Sequence, residues 1–193
     1  MLMAAFTFSA GVNAQEPTDQ ERERAIRLLN GARHQVNASV SGLSDAQWTF
    51  KPAPDRWSVV EIVEHIALIN GIVQGLFLNI DHAPAPPQDR NAKEFDEMIL
   101  TRLADRSQRF KGPESARPTG RWTPPEALEQ FRATSNDFAD LVRTSNGLRQ
   151  HAVPHPLFGP MDGYQWVLAV AGHGERHNQQ ILEVKADAHF PEK

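Results

Sequence analysis

Apolar residues recur at steps of three and four along most of the chain, which is the spacing of amphipathic α-helices. The first such stretch covers residues 19–39, behind Thr18 and Glu21 at the spacing of a capping box. The second follows Ser58, which again precedes a glutamate by three residues, and continues to about residue 79. Each stretch predicts a long helix with one apolar face.

Two more long helices are predicted further along the chain. One begins behind Thr123, where two prolines fit the first helical turn. It ends at Asn146 and Gly147, because glycine adopts the left-handed conformation that closes a helix. The last helix opens after Asp162 and runs to about residue 184.

A shorter amphipathic segment, residues 95–110, predicts an accessory helix. Proline-rich segments predict loops at residues 42–56, 84–91, 111–125 and 149–161. No stretch alternates with a period of two, so no strand is predicted. The pattern therefore predicts an all-α fold, a four-helix bundle with a short accessory helix.

Length and composition narrow the class of protein. The 193 residues, 40% hydrophobic and 23% charged, predict one globular domain over residues 15–193. The net charge of −4 gives no positive excess to neutralise phosphates, so a nucleic-acid partner is not expected. No run of 18 apolar residues follows the amino terminus, so no membrane span is predicted. The absence of cysteine leaves histidine, aspartate and glutamate as the only metal ligands.

Residues 1–14, MLMAAFTFSAGVNA, predict a secretory signal peptide. They carry no charge and end in Val12-Asn13-Ala14, the small-x-small spacing that signal peptidase accepts. No basic residue precedes the apolar stretch, so a cytoplasmic chain with an irregular start is the alternative. Export predicts a periplasmic or secreted protein whose mature chain begins near Gln15.

Three histidines are the candidate metal ligands. His173 and His177 lie four residues apart on the apolar seam of the last helix, so both rings project from one face and could reach one ion. His65 lies between isoleucines on the second long helix, which directs its ring towards the same interior. A buried imidazole without a partner costs about 1 to 3 kcal/mol, and a shared metal would explain all three.

Spacing excludes two familiar metal sites. A zincin has glutamate directly after the first histidine, where this chain has Gly174. A di-iron bundle has glutamate three residues before each ligand histidine, but Ile62 and Val170 stand there. A mononuclear three-histidine site remains. Glu61, one turn before His65, is the candidate general base, and capping of its helix is the equally weighted alternative.

Two motifs carry a family resemblance. Residues 57–65, WSVVEIVEH, resemble the helix-two signature of the DinB-like (DinB/YfiT-like) metalloenzyme family, and residues 173–181, HGERHNQQI, resemble its last-helix signature. Asp55-Arg56 and the loop at 155–160, HPLFGP, are also similar. The resemblance covers residues 18–185, and the middle third matches least.

The resemblance implies an up-down-down-up four-helix bundle, often a homodimer, in which His65, His173 and His177 bind one divalent ion. It ranks zinc and nickel ahead of iron and manganese. It implies a hydrolase or a thiol-dependent transferase, in which the metal activates water or a thiol for attack on a small electrophilic substrate. An exported chain would meet little reduced thiol.

Two function classes stay open at this point. A non-catalytic, stress-related metal-binding bundle would carry the same three histidines as an enzyme. Among the neighbouring residues, Gln180, one turn on from His177, could orient a ligand or the substrate, and Arg176 is expected to form a salt bridge with a neighbouring helix. His155 could touch substrate from the loop before the last helix, although a solvated loop histidine is the simpler interpretation.

Overall fold

A computed structural model describes residues 16–193, and four long helices form its frame. The predicted signal peptide, residues 1–14, lies outside the described residues. The helices are α1 (Asp19–Val40), α2 (Asp45–Thr49), α3 (Val59–Phe77), α4 (Ala92–Ala104), α5 (Pro124–Thr144) and α6 (Gly163–Lys185), and the strands are β1 (Ala152–His155) and β2 (Gly159–Asp162). The predicted all-α four-helix bundle is confirmed, with α1, α3, α5 and α6 as its long helices.

The helix starts follow from local capping. Thr18, Ser58 and Asp162 each accept a hydrogen bond from the backbone N–H three residues on, and a glutamate or glutamine at that position accepts the N–H of the cap. These reciprocal bonds satisfy donors that an uncapped helix leaves open. The starts predicted from the sequence for α1, α3 and α6 are therefore correct.

Contacts between the long helices define their directions. The Tyr164 hydroxyl donates to the Glu21 carbonyl over 3.0 Å at one end of the α1–α6 pair, and the Ser39 hydroxyl donates to Asn178 Oδ1 over 2.8 Å further along. These two helices therefore run parallel.

The other two long helices run the opposite way. Arg22 donates to the Val142 carbonyl, and Arg132 donates to Asn37, so α1 and α5 are antiparallel. The Phe77 ring meets Gly163 while His65 meets His173, so α3 and α6 are antiparallel as well. The order is up-down-down-up, and it brings the middle of α3 against α6.

A small antiparallel hairpin corrects the prediction that the chain has no strand. β1 and β2 pair with His155 opposite Gly159, and Gly159 has the positive φ of 71° that the tight return requires. Each strand has only four residues and one of them is proline, so no alternation could develop. The hairpin lies in the segment predicted to be a loop, directly before α6.

Two other segments differ from the prediction. The five-residue helix α2 forms inside the predicted loop at 42–56, where Ser44 caps it. The accessory helix α4 ends at Ala104, so Phe110 belongs to the connection that follows. This connection, residues 105–121, contacts Arg176 of α6 and His65 of α3, and we call it the strap.

Helix α3 is the most apolar element of the bundle. It is long and apolar enough to span a membrane by length and composition alone. Half of the most apolar 18-residue stretch of α3 is buried inside the bundle, and Ile62, Val63 and Ile66 are at most 1% exposed. These packing contacts, against α5 and α6, account for its apolar composition.

Candidate metal centre

The three predicted ligands meet at one point between α3 and α6. His65 is 5% exposed and His177 is 7% exposed, while His173 is partly buried. One nitrogen from each ring lies within 4.8 Å of the others. Nε2 of His65 and Nε2 of His173 are 3.2 Å apart. Two imidazoles bound to one tetrahedral zinc ion would place their nitrogens about 3.3 Å apart, so the arrangement fits a metal.

The outer nitrogens of two rings are fixed by hydrogen bonds. His65 Nδ1 is 2.8 Å from the carbonyl oxygen of Ala116, which can only accept, so Nδ1 carries the proton. His177 Nδ1 lies 2.8 Å from Oε1 of Gln180, which likewise accepts. In both rings Nε2 is then left as the nitrogen with a lone pair. This is the tautomer that a metal ligand needs, and an outer partner of this kind fixes the ring orientation.

The ring of His173 cannot complete this cluster by hydrogen bonding alone. Its Nδ1 is buried without a partner among the described residues. If the proton of His173 is on Nε2, this N–H can donate to the Nε2 lone pair of His65 or to that of His177. The remaining lone pair then has no donor within the cluster. A buried acceptor without a donor is costly, whereas one cation can accept the Nε2 lone pair of each ring at once. The donor set thus fits a divalent ion such as zinc, nickel or iron.

The electrostatics agree with this donor set. Burial lowers the pKa of His65, and it lowers the pKa of His173 and His177 well below the usual value. The neighbouring imidazoles lower the pKa of His173 and His177 further, because protonated rings would repel one another. The three rings are therefore neutral at pH 7, and neutral imidazole is the form that binds metal.

Comparison with known proteins identifies the family of the chain. The model of the DinB superfamily matches residues 28–181, which span both histidine-bearing helices. The chain belongs to the DinB superfamily.

Two relatives extend this finding. The chain is 24% identical over 162 residues to the uncharacterized protein YuaE of Bacillus subtilis (strain 168), covering 83% of this chain and 96% of that protein. Its fold is similar to that of YfiT from Bacillus subtilis, which is described as a probable metal-dependent hydrolase with an unusual four-helix bundle topology. That similarity has a TM-score of 0.58 at 15% identity and covers 95% of this chain and 91% of the other.

In this DinB-superfamily protein Glu61 serves as part of a helix cap. Its Oε2 accepts the Ser58 N–H over 2.7 Å, and its Oε1 lies 2.8 Å from Nζ of Lys51. Burial raises the pKa of Glu61, but the bonds from Lys51 and Ser58 outweigh it and leave the pKa below its usual value. Both carboxylate oxygens are thus engaged, and the role of Glu61 as a general base stays a prediction.

Two charged residues next to the histidines make contacts that the sequence did not predict. Glu64 is 0% exposed beside His65, and it bonds the strap. Arg176, predicted to form a salt bridge with a neighbouring helix, instead donates to backbone carbonyls, those of Leu103 in α4 and of Asp105 and Gln108 after it. A carboxylate inside the most apolar helix was the one available signal for Glu64, because buried charges need partners.

Trp57 packs against the centre, and a second aromatic pair lies two turns away on α6. The Trp57 ring lies 4.8 Å from the His65 ring and 6.3 Å from the His177 ring, measured between centroids. His155, at the end of β1, packs 4.9 Å from the Trp166 ring, two turns before His173 on α6. Burial lowers the pKa of His155 to about 4, so this ring is neutral at pH 7. Contact of His155 with substrate stays a prediction.

Proposed function

We propose that the protein is a metal-dependent hydrolase in which His65, His173 and His177 hold one divalent ion, zinc or nickel. The observation that carries the proposal is the convergence of three neutral imidazoles, two buried and one partly buried, whose lone pairs cannot all be satisfied by hydrogen bonds within the cluster. The description of the structural neighbour YfiT as a probable metal-dependent hydrolase supports it. A bound ion of this kind lowers the pKa of water towards neutrality, which supplies a nucleophile at pH 7.

The protein residues define what such a site accepts. Three ligands from two helices leave coordination positions open for water and a substrate atom. Trp57 supplies an apolar wall against His65 and His177. This arrangement favours a small electrophilic substrate such as an ester or an amide.

Metal content tests the first half of the proposal. Protein purified without a metal column, saturated with zinc or nickel and then desalted, is expected to keep close to one ion per chain. Free metal at a thousandfold excess over Kd should stabilise the fold by about 4 kcal/mol, and chelator should remove this gain. Atomic absorption and thermal melts measure the two effects. Retention of well under one ion per chain would contradict the metal site.

Turnover tests the second half. The metal-loaded protein is assayed on ester and amide substrates with and without a low-molecular-weight thiol. Hydrolysis without thiol is the expected result. Turnover only with added thiol would identify a transferase instead, and stoichiometric metal without any turnover would favour a non-catalytic metal-binding protein.

Glu61→Gln separates capping from catalysis. Glutamine removes the ion pair with Lys51 and weakens the bond to Ser58, so we expect a loss of about 1 kcal/mol in unfolding free energy. Metal content and turnover should stay at the wild-type level because Glu61 touches no ligand ring in the structure. A fall in turnover at unchanged metal content would assign Glu61 the general-base role.

A further inference from the structure

Glu64 is a buried carboxylate without a role in the helix cap or the ligand set. Its side chain is 0% exposed on α3, directly before His65. Its Oε1 accepts the Thr119 N–H over 2.9 Å and the Arg121 Nε–H over 3.2 Å, and its Oε2 accepts the Gly120 N–H over 3.0 Å. All of these donors belong to the strap, so Glu64 fastens the strap to α3.

The strap also supplies the partner of a metal ligand. His65 Nδ1 donates to the carbonyl of Ala116, which lies three residues before the first donor to Glu64. Earlier in the strap, a Cβ on Gly112 would lie 3.5 Å from His65 Cε1. Two consecutive residues of α3 therefore hold one short stretch of the strap, one through a carboxylate and the other through a ring nitrogen.

The beginning of the strap has a similar anchor. Arg176 donates to the carbonyls of Asp105 and Gln108, and its guanidinium lies 4.8 Å from the centroid of the Phe110 ring. Arg176 directly precedes His177 on α6. Each end of the strap is thus fastened by a charged, buried residue next to a histidine of the cluster, and the carbonyl that orients His65 lies between the two anchors.

We propose that Glu64 is a positioning residue of the metal centre, which acts by holding the strap so that the Ala116 carbonyl fixes the tautomer and orientation of His65. The proposal rests on the metal site of the proposed function. Without the bonds from Glu64, the segment 116–121 is free to move away from α3. The proton on His65 Nδ1 then loses its acceptor, and Nε2 is no longer held as the lone-pair nitrogen facing His173.

Glu64→Gln tests this role through metal affinity. Glutamine has the same size, but its NH₂ group cannot accept a backbone N–H and its neutral head does not pair with Arg121. We expect Kd for zinc, measured by competition with a chelator, to rise about 10- to 100-fold, as for other groups that orient a ligand from behind. Glu126→Gln is the matched control, because Glu126 caps the neighbouring helix α5 and contacts no histidine of the cluster. Equal affinity in Glu64→Gln and wild type would overturn the proposal.

The tautomer of His65 provides a readout that does not depend on metal. Nitrogen-15 chemical shifts of the histidine rings in the metal-free protein report which nitrogen carries the proton. We expect the Nδ1–H form for His65 in the wild type and a mixture of both forms in Glu64→Gln. An unchanged Nδ1–H form in the variant would overturn the positioning role even if the wild type bound no metal, so the two proposals can fail separately.

A variant on the strap side covers the case in which Glu64→Gln does not fold. Gly120 donates to Glu64 with a φ of +70°, and nothing lies within 4 Å of a Cβ built there, so Gly120→Ala strains only the turn. We expect it to weaken zinc binding in the same direction as Glu64→Gln. It should also speed tryptic cleavage after Lys111, which is an exposed strap residue. Wild-type affinity and cleavage in Gly120→Ala would contradict the coupling.

Discussion

Replacing His65 with alanine is expected to abolish metal binding as completely as replacing His173, although 108 positions separate the two residues. The reason is geometric, because the Nε2 atoms of the two rings lie 3.2 Å apart and both would bind the same ion. The loss should exceed the about 10- to 100-fold typical of residues that only orient a ligand. Metal content after saturation and desalting measures it, together with the thermal shift caused by zinc, which should vanish.

Two histidines on the surface are matched controls. His34 is exposed on α1, and His189 is exposed in the carboxyl-terminal tail, where its Nδ1 lies 3.3 Å from Asp187. Alanine at either position should leave full metal occupancy and the zinc-induced thermal shift. Wild-type occupancy in His65→Ala would reduce the site to the pair on α6 and would contradict the three-histidine centre.

The frame that carries these ligands could be predicted because its signals are local. The seam of α6 places Trp166, Val170, His173 and His177 on one face by helical spacing alone. The caps at Ser58 and Asp162 are short-range hydrogen-bond patterns that the chain forms wherever the helix begins. Both kinds of signal lie within a few residues of the structure they specify.

The strap could not be predicted in this way because its contacts are long-range and use the backbone. Arg176 binds carbonyls of the α4 end, and Glu64 binds N–H groups of Thr119 and Gly120, none of which any side-chain pattern specifies. Helical spacing indicated Glu61, one turn before His65, as the candidate general base. The structure uses Glu61 in the cap and places Glu64 against the strap. The hairpin was missed for a related reason, since its short proline-containing strands show no alternation and its contact with α6 is a backbone one, from the Trp166 indole N–H to the Val153 carbonyl.

A buried cluster of charges at the amino-terminal end of α6 joins several elements of the fold. Arg149 is 8% exposed and lies 2.7 Å from Asp96 on α4, 2.7 Å from Glu21 on α1 and 3.0 Å from Asp162, the cap of α6. Its guanidinium also lies 4.2 Å from the centroid of the Tyr164 ring. One cation thus pairs with carboxylates from three helices, at a depth where an uncompensated charge is costly.

Arg149→Met is therefore expected to lower the free energy of unfolding by about 3 to 5 kcal/mol, because Asp96 and Asp162 stay buried without a counter-charge. Burial already raises the pKa of Asp162 to about 6 against the opposing effect of Arg149, and the variant should raise it further. In the folded variant Asp162 keeps its proton up to its raised pKa, whereas the unfolded chain releases that proton above about pH 4. The stability of the variant therefore falls as the pH rises from about 4 to the raised pKa of Asp162. Urea unfolding should show a larger stability deficit of Arg149→Met against the wild type at pH 8 than at pH 5.

The control is Arg143→Met, which breaks an exposed pair with Asp140 and should change stability by less than about 0.5 kcal/mol at either pH. A deficit in Arg149→Met no larger than that of the control would show that the cluster does not join the three helices.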